Sequence, residues 1–208
     1  MAFLNYAPKV TKNLILVNII IYIATLINEE FIIRSFALFY PASPFFHIWQ
    51  PLTHMFVHGG FFHIFFNMYA LLMFGGAVEQ IIGQKKFLTL YMICGLGAAG
   101  LHLAVQSFFG WSNIPCVGAS GAIYGVIMAY AMLFPDSRMT LLFPPVTLTA
   151  KKMVIVFLVI EVFTGIFGSG YVSSVSDGIA HFAHIGGMLF GFLLVKFWRT
   201  RGTLFDRD

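Results

Sequence analysis

The sequence predicts an all-α membrane protein with six transmembrane helices, an embedded first loop and both termini on the cytoplasmic side. Three observations predict it. Of the 208 residues, 59% are hydrophobic and 10% are charged. With a mean hydropathy of +0.87, that is too little polar material to cover a soluble domain of this size. Six apolar stretches each approach the length that crosses about 30 Å of hydrocarbon at about 1.5 Å per residue. Finally, the positive residues collect on one side when the loops between those stretches are taken alternately. The whole chain, 1–208, reads as a single membrane domain. The net charge of +4 is no nucleic-acid footprint, because the cations sit at loop ends and not along one face.

The expected spans follow in order. Residues 13–28 form a short first span framed by Asn13 and Asn28. This run lacks a small-residue cleavage site and more spans follow it, so it reads as a retained anchor. Glu29 to Gly60 is rich in Phe and Pro, too broken for a span and too apolar for a solvated loop. It reads as embedded, with Tyr40 and Trp49 at headgroup depth. Residues 61–82 and 87–109 are the second and third spans. Residues 117–134 are the fourth, stopped by Pro135 and Asp136, and residues 153–168 and 178–198 complete the six. Cys94 and Cys116 fall at different depths, so no disulfide is expected between them, and they form no metal spacing.

Orientation follows from charge. One side holds Lys9, Lys12, Lys85, Lys86, Arg138, Lys151, Lys152, Lys196, Arg199, Arg201 and Arg207; the other holds Arg34 alone. Such a split assigns the richer side to the cytoplasm. Spans two, four and six then start on the outer side, where His63 and Asn67, Ser120, and His184 occupy early turns. Intramembrane polar groups are costly and usually face an internal cavity. Three helices delivering them to one depth is the arrangement a site requires.

A serine needs a base to act as a nucleophile. Gly121 and Gly125 on span four match Gly187 and Gly191 on span six as small-xxx-small faces, which let two helix backbones approach closely. That contact would bring His184 to Ser120. His63 and Asn67, four apart on one helical face, can both donate hydrogen bonds. With the unpaired Ser120 amide at a helix start, they form a candidate oxyanion hole. A third, carboxylate member is not expected. Six of the eight acids lie in loops or the tail, Glu79 sits at the cytoplasmic end of span two, and Glu161 reads as one or two turns too deep. A dyad is therefore expected, its imidazole oriented by packing or by Tyr124, with Glu161 an isolated, protonated carboxyl.

Other readings are weaker. His47 and His102 read as packing residues. His54, His58 and His63, or His181 and His184, could suggest metal, but no HExxH and no carboxylate at ligand spacing accompanies them, so no metal is expected. No aspartate falls inside a span, which excludes an intramembrane aspartyl mechanism. A proton-coupled transporter using Glu161, with His102 as a relay, would usually show internal repeats, and none is found.

These residues resemble the rhomboid family of intramembrane serine proteases in its six-span bacterial form, from Asn13 to Trp198. The motifs are Gly118-x-Ser120-Gly121, His58-x4-His63-x3-Asn67, Ala183-His184-Ile185-Gly186-Gly187 with Gly191, and Gly75-Gly76-Ala77-Val78-Glu79. The resemblance implies Ser120 as nucleophile and His184 as general base. His63, Asn67 and the Ser120 amide would form the oxyanion hole, Tyr124 would pack on His184, and His58 would stabilise the first loop. It further implies hydrolysis of peptide bonds in or beside single-span membrane substrates, with small residues before the cut and no cofactor. Residues 168–174 would be a mobile cap which, with span five, admits substrate laterally. A bacterial inner membrane is the expected location, with the site opening to the extracytoplasmic side; because water must reach the serine, an outward-facing cavity lined by Ser120, His63, Asn67, His58 and His184 is expected. The alternative within this resemblance is a catalytically inactive relative that binds membrane helices. One departure stands out: Gln50 occupies a position where the family often has Arg, which puts the anchoring of the first loop in doubt.

Overall fold

The computed structural model describes residues 7–109, 115–140, 145–167 and 175–206. The elements run α1 (Lys9–Ile27), α2 (Glu29–Phe36), α3 (Gln50–Thr53), a 3-10 turn (His54–Phe56), α4 (Phe61–Ala70), a π-helical turn (Leu71–Gly75) and α5 (Gly76–Ile82). They continue with α6 (Gln84–Phe109), α7 (Ser120–Leu133), β1 (Arg138–Thr140), β2 (Thr147–Thr149), α8 (Ala150–Phe167) and α9 (Val175–Thr200). Among the described residues, four helical stretches are long and apolar enough to cross a membrane: Lys9–Ile27, Phe61–Ile82, Gln84–Phe108 and His181–Thr200. α7 has 14 residues, and α8 carries Lys151, Lys152 and Glu161 within its 18. The protein is a mostly helical, multi-pass membrane protein.

α7 is the most enclosed helix. Gly121, Ala122, Ile123, Gly125, Val126, Ile127, Ala129 and Ala131 are all buried, and α7 packs against α6, α8, α9 and the π turn. Small side chains on nearly every face make that possible, since an all-round apolar helix is stable only when surrounded. α1 is peripheral, with Ile20, Ile23, Leu26 and Ile27 exposed. Its start is capped from another element. Glu79 of α5 accepts from Val10 N at 2.9 Å, Thr11 N at 2.7 Å and Thr11 Oγ1 at 2.8 Å, placing a carboxylate on the orphan amides of a helix N-terminus.

The segment expected as an embedded loop contains two short helices. α2 is capped by Asn28, whose side chain accepts from Phe31 N at 3.1 Å, and Trp49 donates to Ser35 O at 2.8 Å. Gln50 is fully buried and corrects the doubt about loop anchoring. Its Oε1 accepts from Phe39 N at 3.2 Å, while Nε2 donates to Arg34 O at 3.2 Å and Phe45 O at 2.8 Å. An uncharged amide thus ties three points of the loop together without bringing a charge into the interior. A second departure from an all-α reading is the antiparallel hairpin β1–β2, pairing Arg138 with Thr149 and Thr140 with Thr147. Segments of three residues are too short for a periodicity to register.

Candidate active site

Ser120 is the first residue of α7, and the chain that delivers it is held by the first loop. Leu38 N donates to Cys116 O at 2.9 Å and Cys116 N to Leu38 O at 2.8 Å, while Gly118 N donates to His54 O at 2.9 Å. Gly118 has φ +118°, and a Cβ there would meet His63 Nε2 at 2.6 Å. Both the conformation and the space demand glycine.

The small-residue faces of α7 and α9 lie together. A Cβ at Gly187 would stand 1.8 Å from Gly121 O, and one at Gly191 2.5 Å from Gly125 O. With the backbones this close, His184 Nε2 lies 2.8 Å from Ser120 Oγ. Tyr124, one turn beyond Ser120, stacks on the His184 ring with centroids 4.3 Å apart and planes inclined by 10°.

The expectation of a lone, too-deep Glu161 is corrected. Its Oε2 lies 3.0 Å from His184 Nδ1 and 2.5 Å from His181 Nδ1, and Oε1 accepts from the Tyr124 hydroxyl at 2.5 Å. The physical reason is register. Glu161 lies six residues before the end of α8 at Phe167 and His184 nine residues after the start of α9 at Val175, so along their helices the two differ by less than one turn. The case for a protonated carboxyl assumed an isolated group in hydrocarbon, whereas polar groups from two neighbouring helices converge on this one. The ground for dismissing metal at His181 and His184 also changes, because a carboxylate does accompany them. Glu161, His181 and His184 offer ligand atoms within 4.8 Å of one another, although those atoms are already hydrogen-bonded among themselves.

Ser120 and His184 open on a cavity of about 340 Å³, also lined by His63, Asn67, Phe62 and Phe66. His63 and Asn67 share the face of α4 turned to it. His58, expected in the lining, is not there. It is fully buried behind His63, with ring centroids 4.9 Å apart at 67°. Phe62 and Phe66, one helical turn apart, supply the apolar wall in its place.

His58 and the buried His54 of the first loop give the fold a pH dependence. Burial foremost, helped by the neighbouring His63, lowers the His58 pKa to about 4. Burial lowers that of His54 to about 4, against the opposing effect of its bond to Gln50 O. The unfolded chain takes up these protons near pH 6.5 and the folded one does not, so stability is complete above pH 6.5 and is lost as pH falls toward 4. At about 1.4 kcal/mol per pH unit, each ring accounts for up to about 3 kcal/mol. The unfolding temperature in detergent is expected to fall between pH 7 and pH 4.5; a flat profile would contradict the burial of these rings.

The sequence matches the Rhomboid domain over residues 46–201. The chain belongs to the rhomboid family. Among its relatives, the rhomboid proteases GlpG of Yersinia pestis (strain Pestoides F) and Yersinia pseudotuberculosis (serotype O:3, strain YPIII) are each 28% identical over 200 residues. The alignment covers 96% of this chain and 66% of theirs. The mitochondrial presenilin-associated rhomboid-like protein of Bos taurus is 29% identical over 159 residues, covering 74% of this chain and 40% of the relative. The chain thus spans just under two thirds of the length of the GlpG relatives it matches.

Within this rhomboid domain, the residues missed from sequence are Glu161 and His181. The available signal was the single acid of the expected fifth span together with a second histidine three residues before His184. The expected cap, 168–174, lies outside the described residues.

Proposed function

We propose that the protein is an intramembrane serine endopeptidase that hydrolyses peptide bonds in or next to transmembrane segments of membrane proteins. The observation that carries this reading is the 2.8 Å contact between Ser120 Oγ and His184 Nε2 at the wall of an open cavity. In the reaction, Ser120 Oγ attacks the scissile carbonyl carbon as its proton passes to His184 Nε2. The carbonyl oxygen takes the negative charge, facing donors from Asn67, His63 and the Ser120 amide. Protonation of the leaving nitrogen by Nε2 breaks the C–N bond and leaves an acyl ester on Ser120. Water from the cavity then gives a proton to Nε2 and attacks the ester; as the Oγ–C bond breaks, Nε2 returns that proton to Ser120 Oγ, releasing the acid and restoring the hydroxyl. No metal or other cofactor takes part in these steps.

We place it in a six-span arrangement with cytoplasmic termini, the reading that the charge asymmetry favours, in a bacterial inner membrane with the site opening outward. The 14 residues of α7 span only about 21 Å. With the cytoplasmic end of α7 at the boundary, Ser120 lies several ångströms below the outer surface, which makes a water-filled cavity a requirement. The test is labelling of the detergent-solubilised protein by a fluorophosphonate probe, beside Ser120→Ala and His184→Ala. Labelling of the unaltered protein alone is expected; equal labelling of all three would overturn the reading. Replacing Asn67 or His63 by Ala removes one oxyanion donor and is expected to lower kcat about 10²–10³-fold with little change in KM. Steady-state cleavage of a single-span substrate measures this.

A further inference from the structure

Glu161 is a buried acid beside the Ser120–His184 pair that no step above uses. It belongs to α8, its side chain is 6% exposed, and it is tied to both neighbours. Tyr124 of α7 meets Oε1, while His181 and His184 of α9 share Oε2. A buried polar group of this kind is costly unless its hydrogen-bonding capacity is met. Here it is met largely by the histidine that contacts Ser120.

We propose that Glu161 is a positioning residue that converts the Ser120–His184 pair into a Ser–His–Glu triad. The inference rests on the serine-protease reading above. A carboxylate oxygen only accepts hydrogen bonds, so the His184 nitrogen facing it carries the proton. That assignment leaves Nε2 with its lone pair directed at Ser120 Oγ, 2.8 Å away, which is the tautomer a general base needs. When Nε2 takes the serine proton, the imidazolium keeps its Nδ1–H on Glu161. The carboxylate therefore stabilises the charge where it develops.

Tyr124 supports the same geometry twice, since its ring stacks on His184 and its hydroxyl holds the other carboxylate oxygen. His181 lies one turn before His184 with its ring nearly perpendicular, centroids 6.1 Å apart at 87°. It is the second donor to Oε2 and holds the carboxylate alongside His184. Among the described residues, His63 of α4 also faces this group from across the cavity. α6 meets this stretch of α9 through Gly97, Ala98 and Leu101 against Gly186.

The test is the kinetics of fluorophosphonate labelling for the unaltered protein, Glu161→Gln, Glu161→Asp and Ser120→Ala, with unfolding temperatures measured alongside. Gln retains the shape and can still accept from Tyr124, but its amide can also donate to Nδ1 and hold the wrong tautomer. The expected result for Glu161→Gln is a maximal labelling rate lower by about 10²–10⁴-fold at an unchanged probe affinity, with partial recovery in Glu161→Asp. A Glu161→Gln rate within about threefold of the unaltered protein would overturn the positioning role and leave the Ser–His reading standing. No labelling of the unaltered protein would instead overturn that reading itself.

Should Glu161→Gln lose its cooperative unfolding transition, Glu161→Asp decides. Drawing the carboxylate back by one methylene should lower the maximal rate at least about tenfold at unchanged affinity, and a rate equal to that of the unaltered protein would overturn the inference. All rates are taken with and without EDTA. Labelling that changes on chelation would make Glu161, His181 and His184 a metal site and would also overturn it.

Discussion

Replacing Ser120 by Ala is expected to abolish cleavage of single-span substrates in proteoliposomes while leaving the unfolding temperature nearly unchanged. The side chain loses one oxygen and one hydrogen bond, that to His184 Nε2, worth only about 1 kcal/mol of stability. In the proposed mechanism catalysis loses its nucleophile, and turnover should fall at least about 10⁴-fold. His184→Ala should cost about as much, because a hydroxyl without its base is a poor nucleophile. The double variant should be no worse than either single one, since members of a catalytic unit are grossly non-additive. Measurable cleavage by Ser120→Ala would remove the serine mechanism, whatever the behaviour of the other variants.

Gly187→Ala carries the largest expected effect on the fold. Its Cβ would stand 1.8 Å from Gly121 O, and that obstacle is backbone, which cannot rotate aside. α7 and α9 would have to part by more than about 1 Å. Close packing of small residues is what holds membrane helices together in place of a hydrophobic driving force. A loss of about 3 kcal/mol or more is expected, at the upper end of overpacking costs, read as a lower unfolding temperature in detergent. The same displacement separates Ser120, adjacent to Gly121, from His184, three residues before Gly187, so fluorophosphonate labelling should disappear with it. Gly100 provides the contrast. It lies in α6 with open space where a Cβ would go, so Gly100→Ala should be neutral or stabilising by up to about 1 kcal/mol. Equal destabilisation by both substitutions would show that helix propensity, and not the α7–α9 contact, governs the response.

Much of this protein was legible in one dimension. Composition placed it in a membrane, and apolar run lengths located the helices to within a few residues, since hydrocarbon leaves the chain few alternatives to a helix. The serine, the histidine and the paired glycines could be named because each lies on a helix whose face is set by local periodicity. The pairing of Gly121 with Gly187 was accessible for the same reason, as a close approach requires small residues on both partners.

What escaped were the contacts that depend on how far one helix slides against another. Glu161 was placed one or two turns too deep from its position near the middle of the expected fifth span. An error of one turn is about 5.4 Å of rise, enough to separate a carboxylate from an imidazole on paper. His58 was expected in the cavity wall. Its position behind His63 is set by the irregular turn from His54 to Gly60, for which no periodicity exists. Gln50 read as a missing charge until its three backbone partners, on Arg34, Phe39 and Phe45, were seen around it. The sequence alone therefore determined the solvent, the helices and the candidate serine and histidine, all consequences of local pattern and hydrophobicity. The tertiary structure decided the contact of Glu161 with His184 and the wall of the cavity. Those depend on helix register and loop path, which are settled only when side chains distant in the chain compete for the same space.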